Sequence, residues 1–112
     1  MRAPLTLYHF DSCPYCLRVR RALADLELEV ELKNIHTDPS AHEELYRAMG
    51  RGTVPVLRIH EEDRWLPESG DIVAFLYEAF GNGRKPPLSA RLNPQLIIAG
   101  IVVLVFVLLA LR

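Results

Sequence analysis

Leu5-Thr6-Leu7-Tyr8-His9-Phe10-Asp11-Ser12-Cys13-Pro14-Tyr15-Cys16 is the stretch whose reading decides the fold. Leu5 to Tyr8 alternates and is β-prone, which predicts a strand. Cys13-Pro14 then opens a helix, because proline is suited to a first turn where its missing N–H would be unpaired anyway. Beyond it Val19, Ala22, Leu23 and Leu26 fall at i, i+3, i+4 and i+7, one buried stripe, while Arg18, Arg21 and Asp25 share the wet side. A strand, a tight turn and a helix thus place two cysteines, two residues apart, at a helix N-terminus.

The pattern continues outward. Val30 and Leu32, alternating with Glu29, Glu31 and Lys33, predict a second strand. Asp38-Pro39-Ser40 opens a second helix, capped by Asp38 or by a Ser40/Glu43 box, and Gly50 and Gly52 end it. Val56 to Ile59 is a third strand, Glu61-Glu62-Asp63 a turn, and Arg64-Trp65-Leu66 a short fourth strand. Ser69 caps a last helix that runs to Phe80, with Asp71 near its N-terminus and Gly81 as the stop. The order β-α-β-α-β-β-α predicts one α/β domain over residues 1–83. A basic, Pro-rich linker over 84–94 follows, and an apolar helix over 95–112.

Composition divides the same way. Residues 1–83 hold nine Lys/Arg against fourteen Asp/Glu, a net −5, whereas residues 84–112 hold four Lys/Arg and no acid. An acidic head argues against nucleic acid as a partner, since phosphate binding needs clustered Lys and Arg. The first ten residues carry no uninterrupted apolar run, so no secretory signal is expected and the domain is read as cytosolic, where thiols stay reduced.

Two cysteines at this spacing suit thiol–disulfide exchange. A free thiol has a pKa of roughly 8.5, and the unpaired N–H groups of a helix N-terminus favour the thiolate that attacks. Cys13 is therefore the candidate nucleophile. Cys16, one turn further in, is the candidate resolving thiol that attacks a mixed disulfide at Cys13. Buried structural cysteines and half of a metal site are the other readings of the pair. A zinc site wants two further Cys or His ligands, and His9, His36, His42 and His60 are scattered, each reading as a surface or strand residue. No metal is expected.

With Cys13-Pro14-Tyr15-Cys16, Thr53-Val54-Pro55 and Glu68-Ser69-Gly70-Asp71-Ile72 in this order, residues from about Leu5 to Gly81 resemble the glutaredoxins and the related N-terminal domain of glutathione S-transferases. The resemblance implies a thioredoxin-like fold with a mixed four-stranded sheet flanked by helices, and glutathione as co-substrate. It implies that Pro14 and Tyr15 support the active-site turn and that Pro55 is a cis proline facing Cys13. Val54 then pairs through its backbone with the cysteine of glutathione, and Tyr15, Thr53, Glu68 and Ser69 complete the binding set. On residues alone, Ser69 reads equally as a helix cap or a carboxylate anchor.

Two departures shift the likeness toward the transferase domain. Asp11-Ser12 stands where glutaredoxins commonly have a basic residue, and an acid there opposes a thiolate at Cys13. Arg18 and Arg51 are the candidates to offset it. Glu68-Ser69 replaces a glycine pair. The helical C-terminal domain that transferases use for their second substrate has no counterpart in the sequence, so transferase activity is not expected.

Leu96 to Leu111 is sixteen residues without a charge or a hydrogen-bonding side chain. As a helix it spans about 24 Å, against a hydrocarbon core of roughly 30 Å, with Arg112 free to snorkel. A buried core helix or a pairing surface is the competing reading, but the segment is apolar all round rather than striped. Arg84, Lys85 and Arg91 precede it, which keeps the head cytoplasmic by the positive-inside rule. The sequence is thus read as a single-pass, tail-anchored glutaredoxin-like oxidoreductase that acts on glutathione mixed disulfides or protein disulfides near the membrane. The rivals are a non-catalytic glutathione-binding adaptor for a membrane protein and metal transfer by the cysteine pair.

Overall fold

A computed structural model describes residues 2–86. The strands are β1 (Arg2–His9), β2 (Glu29–Asn34), β3 (Val56–Ile59) and β4 (Arg64–Pro67), and the helices α1 (Pro14–Asp25), α2 (Pro39–Met49) and α3 (Ser69–Phe80). The four strands form one sheet in the order β2-β1-β3-β4, with β1 and β2 parallel and the other neighbours antiparallel. That is the mixed sheet and element order expected. The apolar helix expected over 95–112 and most of the linker lie outside the described residues; among the described residues no helix is long and apolar enough to cross a membrane.

Alternation along β1 explains the layering. Leu5 and Leu7 point to one face, where they meet Val19 and Leu23 of α1, Leu57 and Ile59 of β3, and Ile72 and Leu76 of α3. Tyr8 points to the other and packs with Ile35, Ala41, Leu45 and Val56 under α2. The helix ends follow the sequence closely. Asp38 caps α2 by accepting the N–H groups of Ser40 and Ala41, Pro39 occupies the first turn, and Gly50 closes it at φ +71°. Gly81 ends α3 for a different reason: a Cβ there would lie 2.4 Å from the carbonyl oxygen of Tyr77.

Leu32, on the edge strand β2, is 48 % exposed. Two expectations need correction. The turn at Glu61–Asp63 is a short 3-10 helix over His60–Glu62, closed by Asp63 at φ +46°. Ser69 does not cap α3: Glu68 holds the cap position, and its side chain makes no capping bond.

On the α2 face, Lys33 Nζ donates to Glu44 Oε1 at 2.7 Å, and Tyr8 OH donates to the same oxygen at 3.0 Å. The hydrogen bond from Lys33 lowers the Glu44 pKa, while the hydrogen bond to Glu44 raises that of Lys33. A lowered carboxyl pKa adds stability above its unfolded value, lost as pH falls through the folded one; a raised lysine pKa adds stability below its unfolded value, lost as pH rises through the folded one. The pair is therefore whole between these limits. Urea midpoints should fall on acidification below the ordinary glutamate range, and Glu44→Gln should make that fall shallower. An unchanged acid limb in the variant would remove Glu44 from the account.

Candidate functional site

Cys13 occupies the N-cap of α1 at φ −76° and ψ +117°, with Pro14 at the first helical position. The extended backbone turns its side chain back over the helix end, where Sγ accepts the Cys16 N–H at 3.2 Å. A helix N-terminus thus supplies the sulfur with a donor that has no intrahelical partner. The turn itself is held by the Cys13 N–H donating to the Phe10 carbonyl at 3.2 Å. Both cysteines are free thiols. Cys13 is 4 % exposed and Cys16 not at all. Burial first, then the neighbouring Cys13 sulfur, push the Cys16 thiol up to about 12. The two sulfurs differ: the outer one accepts an N–H of the helix N-terminus, and the inner one, fully buried, is held as a thiol.

Beside this turn lies an open cleft of about 520 Å³. The structure brings Tyr15, Thr53, Val54, Pro55, Glu68 and Ser69 together on its walls, so all six residues expected to hold glutathione line one cavity. Cys13, Pro14 and Cys16 are not among the lining residues; they adjoin the cleft through Tyr15, which is half exposed. The Val54–Pro55 bond is cis. Pro55 is buried at the start of β3, a strand beginning that tolerates proline.

Arg18, Arg51, Met49 and Asp71 also line the cleft, and the expected site set omitted them. The helical period put Arg18 on the wet side of α1 correctly, but that side, at its first turns, is the cleft wall. Arg18 Nη1 donates to Ser69 Oγ at 3.5 Å, which ties the start of α1 to the start of α3 across 51 residues of sequence. Asp11 turns away: its side chain is 80 % exposed and its nearest cation is Arg20, at 4.0 Å. Glu68 stands at φ +73° and ψ +117°, a conformation that costs a non-glycine residue on the order of 1–3 kcal/mol and that recurs at ligand sites. Two cations and two carboxylates therefore share one cavity. Among the described residues no group of three His, Cys, Asp or Glu side chains could hold a metal ion.

Comparison with known proteins agrees with this geometry. The family described as "Glutathione S-transferase, N-terminal domain" matches residues 7–86. Glutaredoxin 2 of Escherichia coli strain K12 is 34 % identical over 92 residues, which cover 82 % of this chain and 40 % of that protein. Among solved structures, glutaredoxin 2 from Salmonella typhimurium in complex with glutathione superposes with a TM-score of 0.62 at 31 % identity, covering 83 % of this chain and 40 % of that one. The glutathione transferase URE2P6 from Phanerochaete chrysosporium, in complex with oxidized glutathione, gives 0.63 at 25 % identity, covering 77 % and 40 %. The chain spans about two fifths of the length of the curated relatives it matches. With a thioredoxin-like sheet, a cysteine pair at the α1 N-terminus and a family match over most of its length, this chain belongs to the glutathione S-transferase N-terminal domain family.

Proposed function

We propose that this protein is a glutathione-dependent thiol–disulfide oxidoreductase of glutaredoxin type, with Cys13 as nucleophile and Cys16 as resolving thiol. The observation that carries the reading is Cys13 Sγ at the helix N-cap, accepting the Cys16 N–H beside a cleft shaped by cis Pro55 and Ser69. In the first step the Cys13 thiolate attacks a disulfide sulfur and forms a mixed disulfide while the other sulfur leaves as a thiolate. In the second, Cys16 or a second glutathione attacks that bond and frees the held group. The cleft suits glutathione: Arg18 and Arg51 complement its carboxylates, Glu68 and Asp71 its ammonium, and the Val54 main chain its central peptide. Glutathione complexes of the relatives support the same ligand.

The proposal extends to the arrangement of the chain: the globular domain over 1–83, the basic linker over 84–94 and a membrane anchor over 95–112, with the domain on the cytoplasmic side. It rests on the apolar run and the preceding basic residues. Its substrates are then disulfides or glutathione mixed disulfides of proteins at the membrane face.

Turnover is the test. The full chain in detergent should reduce a small glutathione mixed disulfide at the expense of glutathione, well above the uncatalysed rate. Ser69→Ala, which removes one hydroxyl partner from the cleft, should raise KM for glutathione by up to about tenfold with kcat little changed. Absence of turnover in the wild-type chain would contradict the reading.

A further inference from the structure

Strand β2 is one outer edge of the sheet, and its six residues include no proline to blunt it. The opposite edge, β4, is four residues long, ends in Pro67 and borders the cleft. Which backbone groups β2 presents follows from its register. The Ile35 N–H donates to the His9 carbonyl, so the backbone at Ile35 turns toward β1. Alternation turns Lys33 and Glu31 the same way and points the N–H and C=O groups of Val30, Leu32 and Asn34 outward. Side chains alternate as well. Leu32 shares the α1 face with its β1 partner Leu7, whereas Glu31 and Lys33 share the α2 face with Tyr8. On that face Lys33 Nζ lies 3.8 Å from Glu31. On the other, an open groove of about 540 Å³ runs between α1 and β2, with Leu23, Ala24, Leu28 and Val30 in its walls. An outward-facing ladder beside an apolar groove is what a further strand covers.

The charges on this edge select the strand that fits. In an antiparallel pair, residues directly opposite share a face, so a copy of β2 can pair with β2 only about a residue of the strand. Centring the pair on Glu31 or on Lys33 sets like charges face to face. Centring it on Val30 sets Glu29 against the partner's Glu31. Centring it on Leu32 does neither: Glu31 faces the partner's Lys33, Lys33 faces the partner's Glu31, and the two Leu32 side chains meet over the grooves. In that register Leu32 faces Leu32 and Val30 faces the partner's Asn34, and these are the residues with outward N–H and C=O groups, so each pair exchanges both bonds. We propose that two copies of this chain join edge to edge through β2, antiparallel about Leu32, into one sheet of twice four strands. No residue of β2 lines the cleft, so both clefts stay open. A strand pair of this length is a small interface, with a dissociation constant on the order of 10 µM, and the chain is single when dilute.

Sedimentation of the full chain in detergent, from ~1 to ~300 µM protein, reads the assembly. The wild type should pass from one copy to two across this range. Glu31→Lys and Lys33→Glu should each weaken self-association at least about tenfold, because each sets like charges opposite one another at both ends of the pair. An equimolar mixture of the two variants should recover wild-type association as a mixed dimer, since two cations of one chain then face two anions of the other. A wild type that stays single throughout, variants that associate as well as the wild type, or a mixture that does not recover would each overturn the proposal. The second of these outcomes would assign association to the apolar terminal segment or to another surface that all three proteins share. Lys33→Glu also loses the bond to Glu44. If it does not fold, Leu32→Asp carries the test, because Leu32 is half exposed in the single chain and an aspartate there sets two carboxylates together at the centre of the pair. Self-association weakened at least about tenfold is expected, and association equal to the wild type would overturn the proposal.

Discussion

Replacing Cys13 by serine is expected to abolish glutathione-dependent disulfide reduction, with a loss of more than about 10³-fold in kcat/KM. A hydroxyl at the N-cap still accepts the Cys16 N–H, so the helix start is preserved and the substitution removes the nucleophile rather than the fold. Cys16 does not substitute for it. Its sulfur is fully enclosed and cannot meet a bulky disulfide from solution, and burial pushes its thiol up to about 12, so it is a poor substitute as first nucleophile. The measurement is steady-state reduction of a small glutathione mixed disulfide by both proteins, with unfolding curves recorded alongside. A variant as folded as the wild type and equally active would remove Cys13 from the mechanism.

Leu7→Ala is expected to be the most damaging single truncation in the core, at roughly 3–4 kcal/mol. Leu7 is fully buried and is paired on one side with Leu32 of β2 and on the other with Leu57 of β3. It lies in the cluster shared by α1, α3 and the sheet, where strands on both sides leave little room for collapse onto the cavity. For a domain of this size that loss lowers Tm by at least ~12 °C, a large share of a typical total stability. Leu32, two positions from the end of the edge strand and half exposed, supplies the contrast: Leu32→Ala should change stability by no more than about 0.5 kcal/mol. Urea midpoints with unchanged slope report both. Equal effects from the two leucines would contradict the assignment of β1 to the centre of the sheet and β2 to its edge.

What the chain shows in its sequence and what it hides divide by range. Local chemistry was legible: Pro14 and Pro39 at first turns, Asp38 as a cap, Gly50 with its positive φ, and the stripe through Val19 and Leu23 all stand where short-range patterns place them. Strand position was not. Leu32 alternates like any half-buried residue, and only the sheet order makes β2 an edge. Ser69 lines the cleft with the other residues of the set expected from resemblance, but its bond to Arg18 spans 51 positions and no local rule connects them. His9 had a usable signal, since it continues the alternation of Leu5 and Leu7 inward. A polar residue at a strand end nevertheless reads more naturally as exposed, and the burial of His9 is a tertiary fact.

The same division applies to the site. The three motifs named their own residues, and the fold gathered the Thr53 and Glu68 groups into one cleft beside the Cys13 turn. The cations that complete the cleft carry no motif. Arg18 follows from helix geometry only once the position of α3 is known, and Arg51 lies in the connection between α2 and β3, where composition gives no direction.

The account turns on Cys13 forming a covalent bond with glutathione in this cleft. The direct measurement is intact-protein and peptide mass analysis of the Cys16→Ser chain after exposure to oxidised glutathione, since removal of the resolving thiol leaves the first intermediate nothing internal to react with. The account predicts one glutathione per chain, located on Cys13 and removed by excess glutathione. A chain that remains unmodified while folded would contradict it.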